Sequence, residues 1–258
     1  MSIDTARPAR SASRAGPDAA TPEAGPPGSG RTVAVAAEGV TRRHRGGTGV
    51  FDVSLTVAAG EVVSLLGPAG SGKTTLVRAL AGLDPIDEGS IRWFGRSGRH
   101  DPAVRRSLGV VLDGMPHFDR MTGYQNAWFL ARRFGADERQ ARGRLNGLFS
   151  LSRLGSSAHR PVATYTRGMR QRLALVEALA HAPRLLLLDE AAAGLDSDDR
   201  SVLADIVRRA VRSGVGVLVS TGENAQAAWG SGRTITLSHG RLGPPAGGRN
   251  AESRERNR

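Results

Sequence analysis

The sequence contains no cysteine, which excludes disulfides, thiolate metal sites and cysteine nucleophiles and fits a reducing compartment. Long apolar runs are also missing. The most apolar stretches, Val62–Leu66 and Leu185–Leu188, are strand length. They fall far short of the roughly 18 to 20 residues that a membrane span needs. The N-terminus offers alanine, proline, glycine and serine with scattered charge instead of an apolar signal core, so secretion is not expected. If the protein works at a membrane, another chain supplies the span. Lysine is almost absent as well: the chain has one, Lys73, among 36 basic residues.

The remaining composition is that of a soluble globular protein, with 258 residues, 39% hydrophobic and 23% charged. A net charge of +12 permits attraction to nucleic acid or an anionic membrane surface but does not choose a fold. Residues 1–31 and 244–258 are low in large apolar groups and rich in Pro, Gly, Ala or charge, so they read as disordered tails. Between them, in 32–243, short strands and helices alternate. Strands are expected at Thr32–Val40, Val50–Val57, Glu61–Leu66, Ser90–Phe94, Leu108–Leu112, Arg184–Leu188, Val215–Ser220 and Thr234–Leu237. Helices are expected at Gly72–Leu80, through Met121–Leu154, and at Thr166–Ala180 and Ser197–Arg212. That alternation predicts an α/β fold with a mainly parallel sheet. No internal repeat is evident.

The single lysine stands inside Gly67, Pro68, Ala69, Gly70, Ser71, Gly72, Lys73, Thr74, Thr75, which reads G-x-x-x-x-G-K-T. Everywhere else a cation is needed, the chain uses arginine. A compact ammonium on a flexible stem reaches between β- and γ-phosphates, whereas a planar guanidinium is wider. The glycines let backbone N–H groups converge on phosphates, and the following helix adds its positive end. Lys73 is therefore expected to neutralise β/γ charge, Thr74 to place its hydroxyl on Mg²⁺, and Thr75 to contact the α-phosphate. Further along, Leu185–Leu188 deliver Asp189 and Glu190 to the C-terminal end of a strand, where ligands bind in open α/β sheets. Asp189 is expected to hold Mg²⁺ through water and Glu190 to orient or deprotonate an attacking water.

From about Val33 to Leu242 the chain resembles the ATP-binding cassettes of ABC transporters. The resemblance rests on Gly67–Thr75, on Thr166, Arg167, Gly168 and Met169 as a signature motif, on Leu185–Glu190, and on Gly194-Leu195-Asp196 as the loop at a dimer seam. Tyr165, Met169, Arg170 and the stretch Met121–Asn126 are most similar to drug, antibiotic or polysaccharide exporters. The resemblance implies a P-loop NTPase cassette with an N-terminal antiparallel β part and an inserted helical lobe at about 115–182. It implies ATP and Mg²⁺ as ligands, and head-to-tail pairing with a second cassette, a homodimer or heterodimer. Thr166, Arg167, Gly168, Met169 and Asp196 would then meet the partner's nucleotide. An integral-membrane permease subunit is implied as partner, with the cassette peripheral on the cytoplasmic face of the membrane. Nucleic acid is not expected as a partner. Zinc cysteines, a second cassette and a long coiled-coil insertion, which mark the nucleic-acid members of the family, are all missing from this sequence. The lobe's Ala131–Arg172 stretch, with ten arginines against Asp137 and Glu138, reads as a solvated face or as a surface for a permease or headgroups.

The sequence departs from the family's pattern at several places. Asp113 stands where a glutamine touches metal and water, and is expected to bind metal at shorter reach. Gly222 stands where a histidine bonds the γ-phosphate. His44 occupies the place of the aromatic that stacks on adenine, Arg167 replaces a glycine, and Ala191-Ala192 replace Pro-Thr. With two γ-phosphate sensors missing, the expectation is MgATP binding with slow hydrolysis at this chain's own P-loop. The competing expectation is a degenerate or regulatory cassette with little turnover.

Overall fold

The computed structural model describes residues 31–222, 229 and 232–243. The expected tails fall outside these apart from Arg31. The nine described strands form two sheets. Strands β1 (Val33–Arg43), β2 (Gly49–Ala58) and β4 (Glu88–Trp93) form an antiparallel sheet in the order β2-β1-β4. The second sheet is β5-β6-β7-β3-β8-β9, built from β5 (Leu108–Val111), β6 (Leu185–Asp189), β7 (Gly216–Thr221), β3 (Val62–Leu66), β8 (Arg233–Ser238) and β9 (Arg241–Leu242). All its pairings are parallel except β8 with β9. The α/β class and the antiparallel part are as the sequence implies.

Strand pleating explains the layers. Successive side chains point to opposite faces, and the four leucines of β6 divide accordingly. Leu185 and Leu187 join the core shared with α1 (Lys73–Leu80) and the antiparallel sheet. Leu186 and Leu188 join the core beneath α5 (Arg167–Leu179) and α6 (Ser197–Arg212). None of the four exposes any surface. Burial on both faces is why β6 reads as an unbroken apolar run instead of an alternating one.

A third core belongs to the helices between β5 and β6. Leu145, Phe149, Leu154, Leu173 and Val176 pack there among α3 (Gly123–Arg133), α4 (Glu138–Leu151) and α5. The helical stretch expected through Met121–Leu154 is thus two helices. Gly135 takes φ 76 after α3, and Asp137 caps α4 by accepting a 2.9 Å bond from Gln140 N. Gln125 is tied up at the start of α3: its Oε1 accepts from Thr122 N at 2.8 Å, and its own N–H donates to Thr122 Oγ1 at 3.1 Å. The helix α2 (Pro102–Arg106), capped by Asp101, and the two-residue β9 were not foreseen. Among the described residues no helix is long and apolar enough to cross a membrane.

Candidate active site

Strand β3 is buried throughout and ends at Leu66; the glycine-rich loop follows, and α1 begins at Lys73. Gly72 adopts φ 104, and a Cβ there would stand 2.8 Å from Gly49 O, so only glycine fits. At Gly67 a Cβ would fall 2.3 Å from Leu237 O. The Lys73 side chain is 4% exposed and folds back under the loop. Its ammonium donates to Gly67 O at 2.9 Å and Pro68 O at 3.0 Å, and lies 3.3 Å from Glu190 Oε1. Ser71 Oγ is buried in the same loop with no hydrogen-bond partner among the described residues.

The acids arrive from β6. Asp189 is 2% exposed and accepts a hydrogen bond from Ser220 Oγ. Glu190 turns off the strand in the left-handed region, at φ 48, and its N–H reaches Ser220 Oγ at 3.1 Å and Ser220 O at 3.2 Å. Strand β7 lies between β6 and β3, pairing Ser220 with Asp189 and Thr221 with Leu66. Ser220 therefore sets both acids against the loop. Sequence reasoning missed it; the available signal was a hydroxyl closing an otherwise apolar strand.

A cleft of about 400 Å³ joins these parts. It is lined by Ala69, Gly70 and Gly72–Thr75 of the loop and helix, by Asp189 and Glu190, and by Asp113, two residues beyond the end of β5. His44 also lines it, with Nε2 3.0 Å from Thr75 Oγ1. One ammonium thus faces three carboxylates and the Thr74 hydroxyl across a single opening. Behind α1, Arg78 donates twice to Asp84, at 2.9 Å each. Those bonds hold the Asp84 carboxyl below its usual range, against the opposing effect of its burial.

The remaining predicted site residues lie outside this cleft. Thr166 caps α5, its Oγ1 accepting from Met169 N at 3.2 Å. Gly168 is covered by Asp199, whose Oδ2 would stand 1.7 Å from any Cβ there. Asp196 caps α6 by accepting from Asp199 N at 2.8 Å. Arg167 turns its guanidinium away to Ala193 O at 3.0 Å. Met169 packs partly into the lobe core. Gly222, exposed at the end of β7, has no described residue within 4 Å of where a side chain would begin. Glu223 and Asn224, which follow it, lie outside the described residues.

Loop, sheet order and acids together define an ATP-binding cassette of the P-loop NTPase class. Residues 50–193 match the family model described as ABC transporter, and the chain belongs to that family. It is similar to the Fe(3+) ions import ATP-binding protein FbpC of Streptomyces coelicolor, at 38% identity over 206 residues, covering 80% of this chain and 59% of that protein. It is also similar to the daunorubicin/doxorubicin resistance ATP-binding protein DrrA of Streptomyces peucetius, at 35% identity over 212 residues, covering 82% of this chain and 64% of that one. A solved structure of an ATP binding subunit of an ABC transporter superposes with TM-score 0.74 at 25% identity, covering 81% of this chain and 89% of that chain. This chain therefore spans less than two thirds of the length of these two named relatives.

ATP and Mg²⁺, the ligand pair of the family, fit the residues present. The loop keeps backbone space free at its glycines, the orphaned Ser71 hydroxyl sits within it, and Lys73 is already enclosed by oxygens. Carboxylate and hydroxyl oxygens are the donors that Mg²⁺ takes alongside substrate phosphates.

Proposed function

We propose that this chain is the ATP-binding energy subunit of an ABC exporter, driving a separate membrane-embedded permease from its cytoplasmic side. The observation that carries the proposal is the convergence of Lys73, Thr74, Asp189 and Glu190 on one cleft, with the head of α5 left out of it. A site lacking Thr166, Gly168 and Met169 in its own cleft is completed by a second cassette docked head to tail. The N-terminal end of α5 would then face the opposite γ-phosphate, where its backbone N–H groups and dipole favour negative charge. Asp196 would lie at the same seam.

Within the cleft, Lys73 and the loop amides hold the triphosphate. Glu190 orients the attacking water and accepts its proton at the carboxylate. Thr74, Asp189 and Asp113 would hold Mg²⁺, which supplies charge neutralisation at the β- and γ-oxygens when bound. His44 would lie against the base. Asp113 and Gly222 weaken the reading of the γ-phosphate, so turnover at this P-loop is slow. If the partner is a different cassette, its P-loop carries most of the hydrolysis. The same two residues favour the second reading, a regulatory cassette that binds ATP without driving transport.

The permease has a suitable surface. A groove of about 850 Å³ is lined by α5, α3 and the segment from α2 to β5, with Val110, Leu112 and Leu130 and with Arg105, Arg106, Arg132 and Arg133 among its residues. Leu83 on its wall is 50% exposed; Phe118 and Phe129, edge to face at 5.4 Å, are 54% and 46% exposed. Isolated exposed apolar residues are ordinary, but the paired Phe118 and Phe129, together with an arginine-lined apolar groove, suit an amphipathic segment with acidic ends. The export direction rests on Tyr165, Met169, Arg170 and Met121–Asn126; the relatives carry import and resistance names alike. The test is MgATP binding and phosphate release by the purified chain, alone and co-expressed with candidate permeases. Magnesium-dependent ATP affinity with hydrolysis stimulated by a membrane partner is expected. Absence of any such affinity at millimolar ATP, with or without a partner, overturns the proposal.

A further inference from the structure

The turn that follows the acids, residues 190–195, is held at both ends. At its start the Glu190 N–H is bound to Ser220. At its end Asp196 caps α6, and Asp199 in that helix's first turn pairs with Arg172 of α5 at 3.1 Å. The middle is held by packing, with Ala191 and Leu195 buried in the core beneath α5 and α6, and by few hydrogen bonds. Ala191 and Ala192 carry no polar group, and neither supplies the fixed φ of a proline, which the family's pattern places there. Ala193 N–H closes the turn on Glu190 O at 2.9 Å, and Gly194 needs φ 68.

Arg167 reaches this middle from the head of α5. Its Nη2 donates to Ala193 O at 3.0 Å, and the guanidinium packs against Gly194 so closely that a Cβ there would lie 2.9 Å from Nη1 and 3.1 Å from Cζ. No other side chain hydrogen-bonds to 191–195 among the described residues. Two departures from the family's pattern, arginine for glycine at 167 and Ala-Ala for Pro-Thr at 191–192, therefore bear on the same turn, the arginine touching it at Ala193 and Gly194.

We infer that Arg167 is a positioning residue: it clamps the 190–195 turn to α5 and thereby fixes Glu190 opposite Lys73, supplying the rigidity that Ala191 and Ala192 do not. The inference rests on the proposal above only where Glu190 acts on ATP. The clamp also links the surface that would meet the partner's nucleotide to this chain's own acid.

Hydrogen exchange on the full chain without nucleotide tests the clamp directly, comparing wild type with Arg167→Ala and Arg167→Lys. Loss of one exposed, charge-assisted hydrogen bond should speed exchange across 190–196 by about fivefold. The interior of α5 should be unchanged, and lysine should restore part of the protection. In MgATP hydrolysis, Arg167→Ala should lower kcat about fivefold at constant KM, because the group acts through Glu190 and does not touch substrate. Wild-type exchange rates at 190–196 in Arg167→Ala would overturn the inference. So would a raised KM at constant kcat, which would make Arg167 a nucleotide contact instead. Because exchange is read without ATP, a chain that never hydrolyses ATP would sink the proposed function and leave this arm decisive.

Discussion

Placing a histidine at position 222 should restore turnover. Gly222 follows Thr221, the last residue of β7, and Thr221 pairs with Leu66 at the mouth of the loop. Position 222 thus stands beside Gly67, level with the phosphate cradle. Among the described residues no atom lies within 4 Å of a Cβ built on Gly222, and the residue is not in the left-handed region. An L-residue enters without backbone strain and without clash against the described residues. Replacing glycine where the conformation suits other residues adds about 0.4–1 kcal/mol of stability through the unfolded chain. Any change in rate is then not a folding defect.

The rate follows from one donor aimed at developing charge. Such a group contributes about 10²–10³ in kcat. An imidazole grafted without its usual surroundings, beside Asp113 in place of glutamine, should realise the lower part of that range. Gly222→His is therefore expected to raise kcat by about 10- to 100-fold at saturating MgATP. The assay is steady-state phosphate release, with three controls. Gly222→Ala should share the added stability without the added rate. Glu190→Gln should abolish turnover in wild type and Gly222→His alike. KM should move little, because the donor serves the transition state. If kcat of a folded Gly222→His variant stays within about twofold of wild type, the missing histidine is not what limits the site. Brisk wild-type hydrolysis, abolished by Glu190→Gln, would refute the same reasoning by showing compensation.

Lys73→Arg should weaken MgATP binding by about hundredfold or more, since a wider, planar cation must enter a space where the ammonium is enclosed by Gly67 O, Pro68 O and Glu190; calorimetry giving an unchanged Kd would refute this. Asp84→Asn should cost about 1 kcal/mol at neutral pH, the upper end for a two-bond arginine pair whose cation is partly exposed. The folded pKa of Asp84 lies below its unfolded value, so its contribution is complete above about pH 4 and fades as pH falls through the lower, folded value. The Tm gap between wild type and variant should be level from about pH 5 to 8 and close in acid; a gap that widens in acid would refute the assignment.

What was legible in the sequence was chemistry whose parts are adjacent in the chain. The rarity of lysine isolates Lys73, the spacing of glycines marks the loop, and four leucines before Asp189 and Glu190 announce a strand buried on both faces. Thr166 is legible twice, as a motif residue and as the cap of α5, because both uses ask for a hydroxyl before a helix. The break between α3 and α4 was written in Gly135 and Asp137 but hidden by the helical pattern on either side. Short pieces such as α2 and β9 are below the length at which periodicity speaks, although Asp101-Pro102 is a cap followed by a favoured first residue.

The contacts that aim the acids were not legible, since they join residues far apart in the chain. Ser220 reaches back 31 positions to Asp189, and Arg167 spans 26 to Ala193. Read singly, one is a serine ending a strand and the other an arginine spoiling a motif. Only the order β6-β7-β3 puts the serine between acids and loop, and only the packing of α5 on α6 brings the arginine onto the turn. The motif thus marks the groups proposed to do the chemistry, while residues outside it specify where those groups point. A departure from the motif is consequently not a defect until its new neighbours are known. Among the described residues Gly222 has none, whereas Arg167 finds Ala193 and Gly194 in the turn that carries Glu190.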